Sequence, residues 1–267
     1  MEAAGDRYDS RPQRVVVPVL VTFDSESYTV RDFTLNLSEG GIFLQTERLC
    51  SPGTRGALKF RATQFESPFT LRGEVVRVVR PGEGADGQQC GLGIRFLEVS
   101  EGDLKRLRRL VEGVRDGSVV QAIRRSIRES SRTILEEIRR RPVDQKMMLA
   151  VVAQGEEITA LIRDGNPSVL IRLFGNPRLA VTHVQVLLQD KGLPTRVLSA
   201  VKKCRKWMQD DEVQWLFCSH PNTILVDVMT QLPSLPAGRL RQLATDRTIR
   251  PKIRIRAQEL VNRTGRR

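Results

Sequence analysis

The side chains suited to general-base, nucleophilic or metal chemistry are few in this 267-residue chain: two histidines, His183 and His220, and four cysteines, Cys50, Cys90, Cys204 and Cys218. No Gly-x-Ser-x-Gly elbow, phosphate loop ending in Gly-Lys-Ser/Thr or His-Glu-x-x-His pair is present to organise a reaction, so no enzymatic activity is expected. His220 stands just before Pro221, where a turn or capping role is expected, and His183 reads as a helix-surface residue. Cys204, Cys218 and His220 match no zinc-module spacing, and the cysteines form no Cys-x-x-Cys pair, so neither a metal site nor a disulfide framework is expected. Binding chemistry is better provided for. Arg7, Arg11 and Arg14 precede the segment Asn36-Leu37-Ser38-Glu39-Gly40-Gly41. An arginine can fork onto an anion and stack on a flat ring. Asn36 adds a short amide, Ser38 a hydroxyl, and Gly40 and Gly41 permit unusual backbone angles and close approach. Taken alone, the glycines also fit a plain hairpin turn that holds no ligand.

The elements that must position these residues lie in the first half, where apolar and polar side chains alternate. Six runs have strand length: residues 14–23, 28–35, 41–46, 57–61, 69–80 and 90–97. Within them Ile42 and Leu44, Leu58 and Phe60, Leu71, Val75 and Val79, and Leu92, Ile94 and Phe96 share faces. Turn formers separate the runs at 24–27, 36–41, 51–53 and 81–87. Short strands so evenly spaced predict a small closed or nearly closed antiparallel barrel. Residues 100–115 then read as a helix, with Leu104, Leu107, Val111 and Val114 on one stripe and Lys105, Arg106, Arg108 and Arg109 on the other.

Residues 118–141 set Val120, Ile123, Ile127, Ile134 and Ile138 at helical spacing beside an arginine-rich face, and Pro142 is placed to end the run. A single linker helix is predicted, which could dock on a domain, pair with its own copy or lie on anionic lipid. The remainder reads as helical, punctuated by Pro167, Pro177, Pro194, Pro221, Pro236 and Pro251, each expected at a first helical position. Val169, Pro177, Val184 and Leu188 recur as Val213, Pro221, Val228 and Leu232, an offset that suits stacked helical pairs and an extended interaction surface. The division is therefore 1–116 for the barrel and its helix, 117–142 for the linker and 143–267 for the helical repeat.

Charge follows the same division. Residues 1–116 hold 17 basic and 17 acidic side chains, and residues 117–267 hold 27 and 14, so the whole net charge of +13 lies in the second part. That asymmetry points to an anionic partner, with solubility as the plain alternative. Nucleic acid ranks last, because only 5% of residues are aromatic and no reading helix is recognised. No apolar run approaches the roughly 20 residues of a membrane helix, and the first residues lack the basic and apolar regions of a secretory signal. A cytoplasmic protein without a transmembrane segment is expected.

An arginine-bearing arm, then Asn-x-Ser-x-x-Gly in a six-stranded barrel, then Gly91-Leu92-Gly93-Ile94-Arg95-Phe96 as the last strand, resembles the PilZ domain over roughly residues 7–115. The proline-punctuated half resembles, on weaker grounds, a HEAT-type repeat extension. The resemblance implies an α+β multidomain chain, a barrel followed by an all-α domain. It implies cyclic di-GMP as ligand, held by Arg7, Arg11, Arg14, Asn36, Ser38 and Gly41, with no other cofactor. It also implies a protein partner contacted through the helical part, and control of motility or surface polysaccharide. The arm departs from the family pattern: Arg7 and Arg11 have the spacing of four, yet Arg14 is the arginine that leads into the first strand. Two readings stay open, a receptor whose arm folds over the ligand and a PilZ-like scaffold that binds a protein constitutively. Nucleic-acid binding by the basic half is a third.

Overall fold

Six strands form where the alternation places them: β1 (Leu20–Ser25), β2 (Tyr28–Ser38), β3 (Gly41–Gln45), β4 (Arg55–Phe60), β5 (Phe69–Val79) and β6 (Gly91–Leu97). In the computed structural model, which describes residues 14–61, 67–81 and 90–264, they close a barrel in the order β1-β2-β3-β6-β5-β4, every pairing antiparallel. Every residue expected on an inward face is buried, from Ile42 and Leu44 to Ile94 and Phe96. Val17, Val21, Phe23, Leu58, Phe69 and Leu92 are wholly excluded from solvent. Helix α1 (Glu101–Arg115) starts on Ser100, whose hydroxyl accepts from the Asp103 N–H at 3.1 Å. It stays over the barrel, with the Arg106 guanidinium 4.0 Å above the Phe69 ring.

Two strand limits differ from expectation by three residues or more. Residues 14–19 do not extend β1, since Pro18 has no N–H to give a ladder. The segment is pinned to β2 instead. Thr34, itself buried, accepts the Val19 N–H on its hydroxyl at 2.9 Å and donates that hydroxyl to the Val17 carbonyl. Strand β2 runs three residues further than its alternation suggests, because a bulge at Leu35 lets the pairing resume at Asn36 opposite Phe43. The turn to β3 is therefore only Glu39 and Gly40.

The run expected as one linker helix is two: α2 (Ser118–Arg128) and α3 (Ile134–Arg140). Thr133 starts the second with a capping box to Glu136, a local signal that restarts a helix after Ser130 and Ser131. The chain divides here into two units, Met1–Glu129 and Ser130–Arg267. Helix α2 packs on α1 in the first, and α3 belongs to the second.

The second unit continues with α4 (Val143–Val152), α5 (Glu156–Asp164), α6 (Pro167–Leu173), α7 (Val181–Leu188), α8 (Thr195–Lys203), α9 (Asp211–Ser219), α10 (Leu225–Gln231), α11 (Ala237–Thr245) and α12 (Pro251–Thr264). Helices α4, α7 and α10 pack respectively on α6, α9 and α12. The residues that recur in sequence, Val169 and Val213, Val184 and Val228, Leu188 and Leu232, are all core. Among the described residues no helix is long and apolar enough to cross a membrane.

The prolines do not all start helices. Pro167 and Pro251 occupy the first helical position, and Pro194 and Pro236 stand one residue earlier as caps. Pro177 and Pro221 lie in turns ahead of α7 and α10, where a fixed φ is as useful as at a helix start. The residue before each of these two is a buried polar side chain with one job. Asn176 accepts the Arg178 N–H on Oδ1 at 2.8 Å and donates Nδ2 to the carbonyls of Ala150 and Ala153 at the end of α4, at 2.7 and 2.9 Å. His220 accepts the Asn222 N–H on Nδ1 at 3.1 Å and donates Nε2 to the Asp190 carbonyl beyond α7, at 2.8 Å. An amide and an imidazole thus play matching parts, each accepting an N–H two residues on and donating back to the end of an earlier helix, Asn176 tying α6 to α4 and His220 tying α9 to α7.

This assignment has a pH consequence. Burial pulls the His220 pKa below the 6.5 of a solvated histidine. As pH falls below that value the unfolded chain takes up the proton first, so stability present above it is lost and the loss ends below the folded pKa. A series of denaturant melts from pH 7.5 to pH 5 is expected to show this slope, and His220→Asn, which keeps an acceptor for the Asn222 N–H and has no group that titrates in this range, is expected to flatten it.

Candidate functional site

The site begins with an isolated bridge. Val15 donates its N–H to the Leu37 carbonyl at 2.8 Å and receives the Leu37 N–H at 2.9 Å. Antiparallel pairing about this bridge sets Arg14 across from Ser38 and Val16 across from Asn36. Val15 and Leu37 both point into the core, so Arg14, Val16 and Asn36 project to the opposite, outer face, whereas Ser38 is buried at the strand end. Arg14 is exposed, Asn36 is half-buried and Val16 is 59% exposed, an apolar side chain standing between two polar ones.

The turn that follows is held at several points. Ser38 donates its hydroxyl to the Gly41 carbonyl at 3.2 Å, and the Phe96 N–H is donated to the Gly40 carbonyl at 2.9 Å. Gly41 is backed by β6 so closely that a Cβ there would stand 2.4 Å from the Ile94 carbonyl oxygen. Glu39 projects from the turn to Arg108 of α1, whose Nε donates to Oε2 at 2.8 Å. That hydrogen bond holds the Arg108 guanidinium above its ordinary pKa.

Arg14, Asn36, Ser38 and Gly41 are thus brought to one edge of the barrel, and Arg7 and Arg11 lie outside the described residues. Sequence reasoning missed Thr34, Val16 and the Glu39–Arg108 pair. The bulge at Leu35 left no signal in the spacing of apolar residues, whereas Pro18 could have flagged that residues 14–19 leave the ladder. The other singled-out groups fall elsewhere. Cys218 is buried, which pushes its thiol pKa up to about 12, and His183 accepts the Ala180 N–H at the start of α7 at 3.1 Å. Among the described residues no three His, Cys, Asp or Glu side chains form a group that could hold a metal ion.

Residues 7–113 match the family model of the PilZ domain. The N-terminal part of this chain is a PilZ domain. The match spans both the arm and the strand-end motif, and the barrel above is its fold. No curated protein matches the chain. Solved structures similar to it include the PilZ domain with c-di-GMP of YcgR from Escherichia coli, at 20% identity and a TM-score of 0.34, covering 43% of this chain and 97% of that one. YcgR in complex with c-di-GMP from the same organism is similar at 19% identity and a TM-score of 0.35, covering 43% and 49%. The Bacillus subtilis inhibitor of motility MotI/DgrA is similar at 18% identity and a TM-score of 0.33, covering 46% and 53%. The chain spans about half the length of these last two. At such TM-scores the likenesses carry no further weight, and the PilZ assignment rests on the family model.

Proposed function

We propose that this chain is a non-enzymatic cyclic di-GMP effector whose PilZ domain takes the dinucleotide at the barrel edge that carries Arg14, Asn36, Ser38 and Gly41. The observation that carries the reading is the Val15–Leu37 bridge, because it delivers an exposed arginine to the strand-end asparagine and serine. Cyclic di-GMP has two phosphates and two guanines. Arg14 suits either a phosphate or a guanine edge or face, Asn36 suits a base edge, Ser38 suits a phosphate, and the bare Gly41 lets β6 pack against the turn that presents them. Arg7 and Arg11 complete the arm in this reading. The helical unit transmits binding to a protein partner in the cytoplasm, a role supported by Val186, Ile224 and Val226, large apolar side chains left exposed on α7 and at the start of α10.

Calorimetric titration of the full chain with cyclic di-GMP, and with cyclic di-AMP as the control for guanine reading, tests the proposal. Saturable binding of the guanine dinucleotide alone is expected, and Arg14→Ala is expected to weaken it at least about tenfold, the cost of one charge-assisted contact. No binding by folded protein would overturn the receptor reading and leave the PilZ domain as a scaffold. Unchanged affinity in Arg14→Ala would overturn the assigned face.

A further inference from the structure

Residues 36–41 contain one ionisable side chain, Glu39, and it is an acid in a place proposed for a ligand with two phosphates. The backbone cannot carry it away. Its turn is held by the Ser38 hydroxyl on the Gly41 carbonyl, by the Phe96 N–H on the Gly40 carbonyl and by the contact of Gly41 with β6. Only the side chain can be managed, and Arg108 manages it from α1 through the 2.8 Å bond to Oε2.

Arg108 is 57% exposed and Glu39 38%, so the ion pair adds little to folding. Its effect is on the local field, where a bare carboxylate would repel an incoming phosphate within the Debye length and a neutralised one would not. Other charges on the helix do not replace Arg108 at this bond. Glu112 lies one helical turn further on with the wrong sign, and Arg106 is engaged with Asp103 at 2.9 Å and lies over Phe69.

We propose that Arg108 is a positioning residue of the ligand site, which acts by cancelling the charge of Glu39 so that the motif turn accepts an anion. The inference rests on the cyclic di-GMP reading above. It requires that α1, an element outside the recognised motif, sets the affinity of the motif. It also requires the effect to run through Glu39.

A double-mutant cycle on the full chain tests it by titration with cyclic di-GMP. Arg108→Ala is expected to weaken binding by about two- to fivefold at low salt, the range of a screened surface charge pair. Glu39→Gln is expected to bind as well as the parent or better. In the Glu39→Gln background Arg108→Ala should change the affinity hardly at all, and the loss in the single variant should shrink as salt is added. Parent affinity in Arg108→Ala overturns the inference alone. So does an equal loss in both backgrounds, which would mean that Arg108 acts without Glu39. No binding by the parent overturns the site reading and this inference with it. Thermal melts equal to the parent are expected for each variant, because both side chains are on the solvent side.

Discussion

Replacing Gly41 by alanine is expected to cost the barrel about 3 kcal/mol, at the upper end of the range for overpacking, and to lower its melting transition by roughly 10 °C. The added methyl would stand 2.4 Å from the Ile94 carbonyl oxygen and 3.2 Å from the Arg95 Cα. Both atoms are backbone of β6, which is hydrogen-bonded on its two sides to β3 and β5, so neither can retreat by a rotamer change. Relief requires parting β3 from β6 at the turn that holds Ser38 and Glu39, and the proposed ligand face goes with it. Gly238→Ala is the control, since a Cβ there meets nothing within 4 Å and the residue lies in α11. That change is expected to be neutral or to stabilise by up to about 1 kcal/mol. Circular dichroism melts of the two variants against the parent decide the matter, and a Gly41→Ala protein as stable as the parent would refute the close approach.

Lys146→Met is expected to destabilise the second unit by about 3–5 kcal/mol, the cost of leaving one charge of a buried pair alone. Lys146 and Asp164 each have 7% of their side chain exposed, and Nζ donates to Oδ1 at 2.7 Å and to the Arg139 carbonyl at 3.3 Å. One lysine on α4 therefore joins the end of α3 to the end of α5. Asp164 depends on it twice over. Its carboxylate sits at the C-terminal end of α5, where the helix dipole disfavours negative charge, and its Oδ2 is buried without a hydrogen-bond partner. Replacing both members, as Lys146→Met with Asp164→Leu, removes the stranded charge and is expected to recover most of the loss. Denaturant midpoints of parent, single and double variants test this, and a single variant no weaker than the double would show that the pair is not coupled in the folded chain.

The correspondence between sequence and structure was uneven, and particular residues show why. Alternation placed Leu58, Leu71, Ile94 and their neighbours on an inward face because strand periodicity is local and repeats every second residue. Charge counts likewise located the excess of arginine and lysine in the second part without reference to any fold. The motif residues Asn36, Ser38 and Gly41 could be singled out for the same reason, since a short amide, a hydroxyl and a missing Cβ carry their chemistry wherever they stand. The interrupted linker helix was also local in origin, a Thr133–Glu136 capping box that a reading of apolar spacing alone passes over.

What the pattern could not hold was which distant residues meet. The Leu35 bulge shifts the register of β2 on β3 by one residue, and Val15 finds Leu37 because Pro18 withdraws the lead-in segment from the β1 ladder. Arg108 finds Glu39 from 69 residues away, and Asn176 and His220 each tie one helix end to another with different side chains. Composition, periodicity and motif chemistry were thus properties of the sequence alone, because each is complete within a few residues. Register, ion pairing and the buried polar ties belong to the tertiary structure, because they depend on how bulges, turns and packed helices bring separate stretches to the same few ångströms.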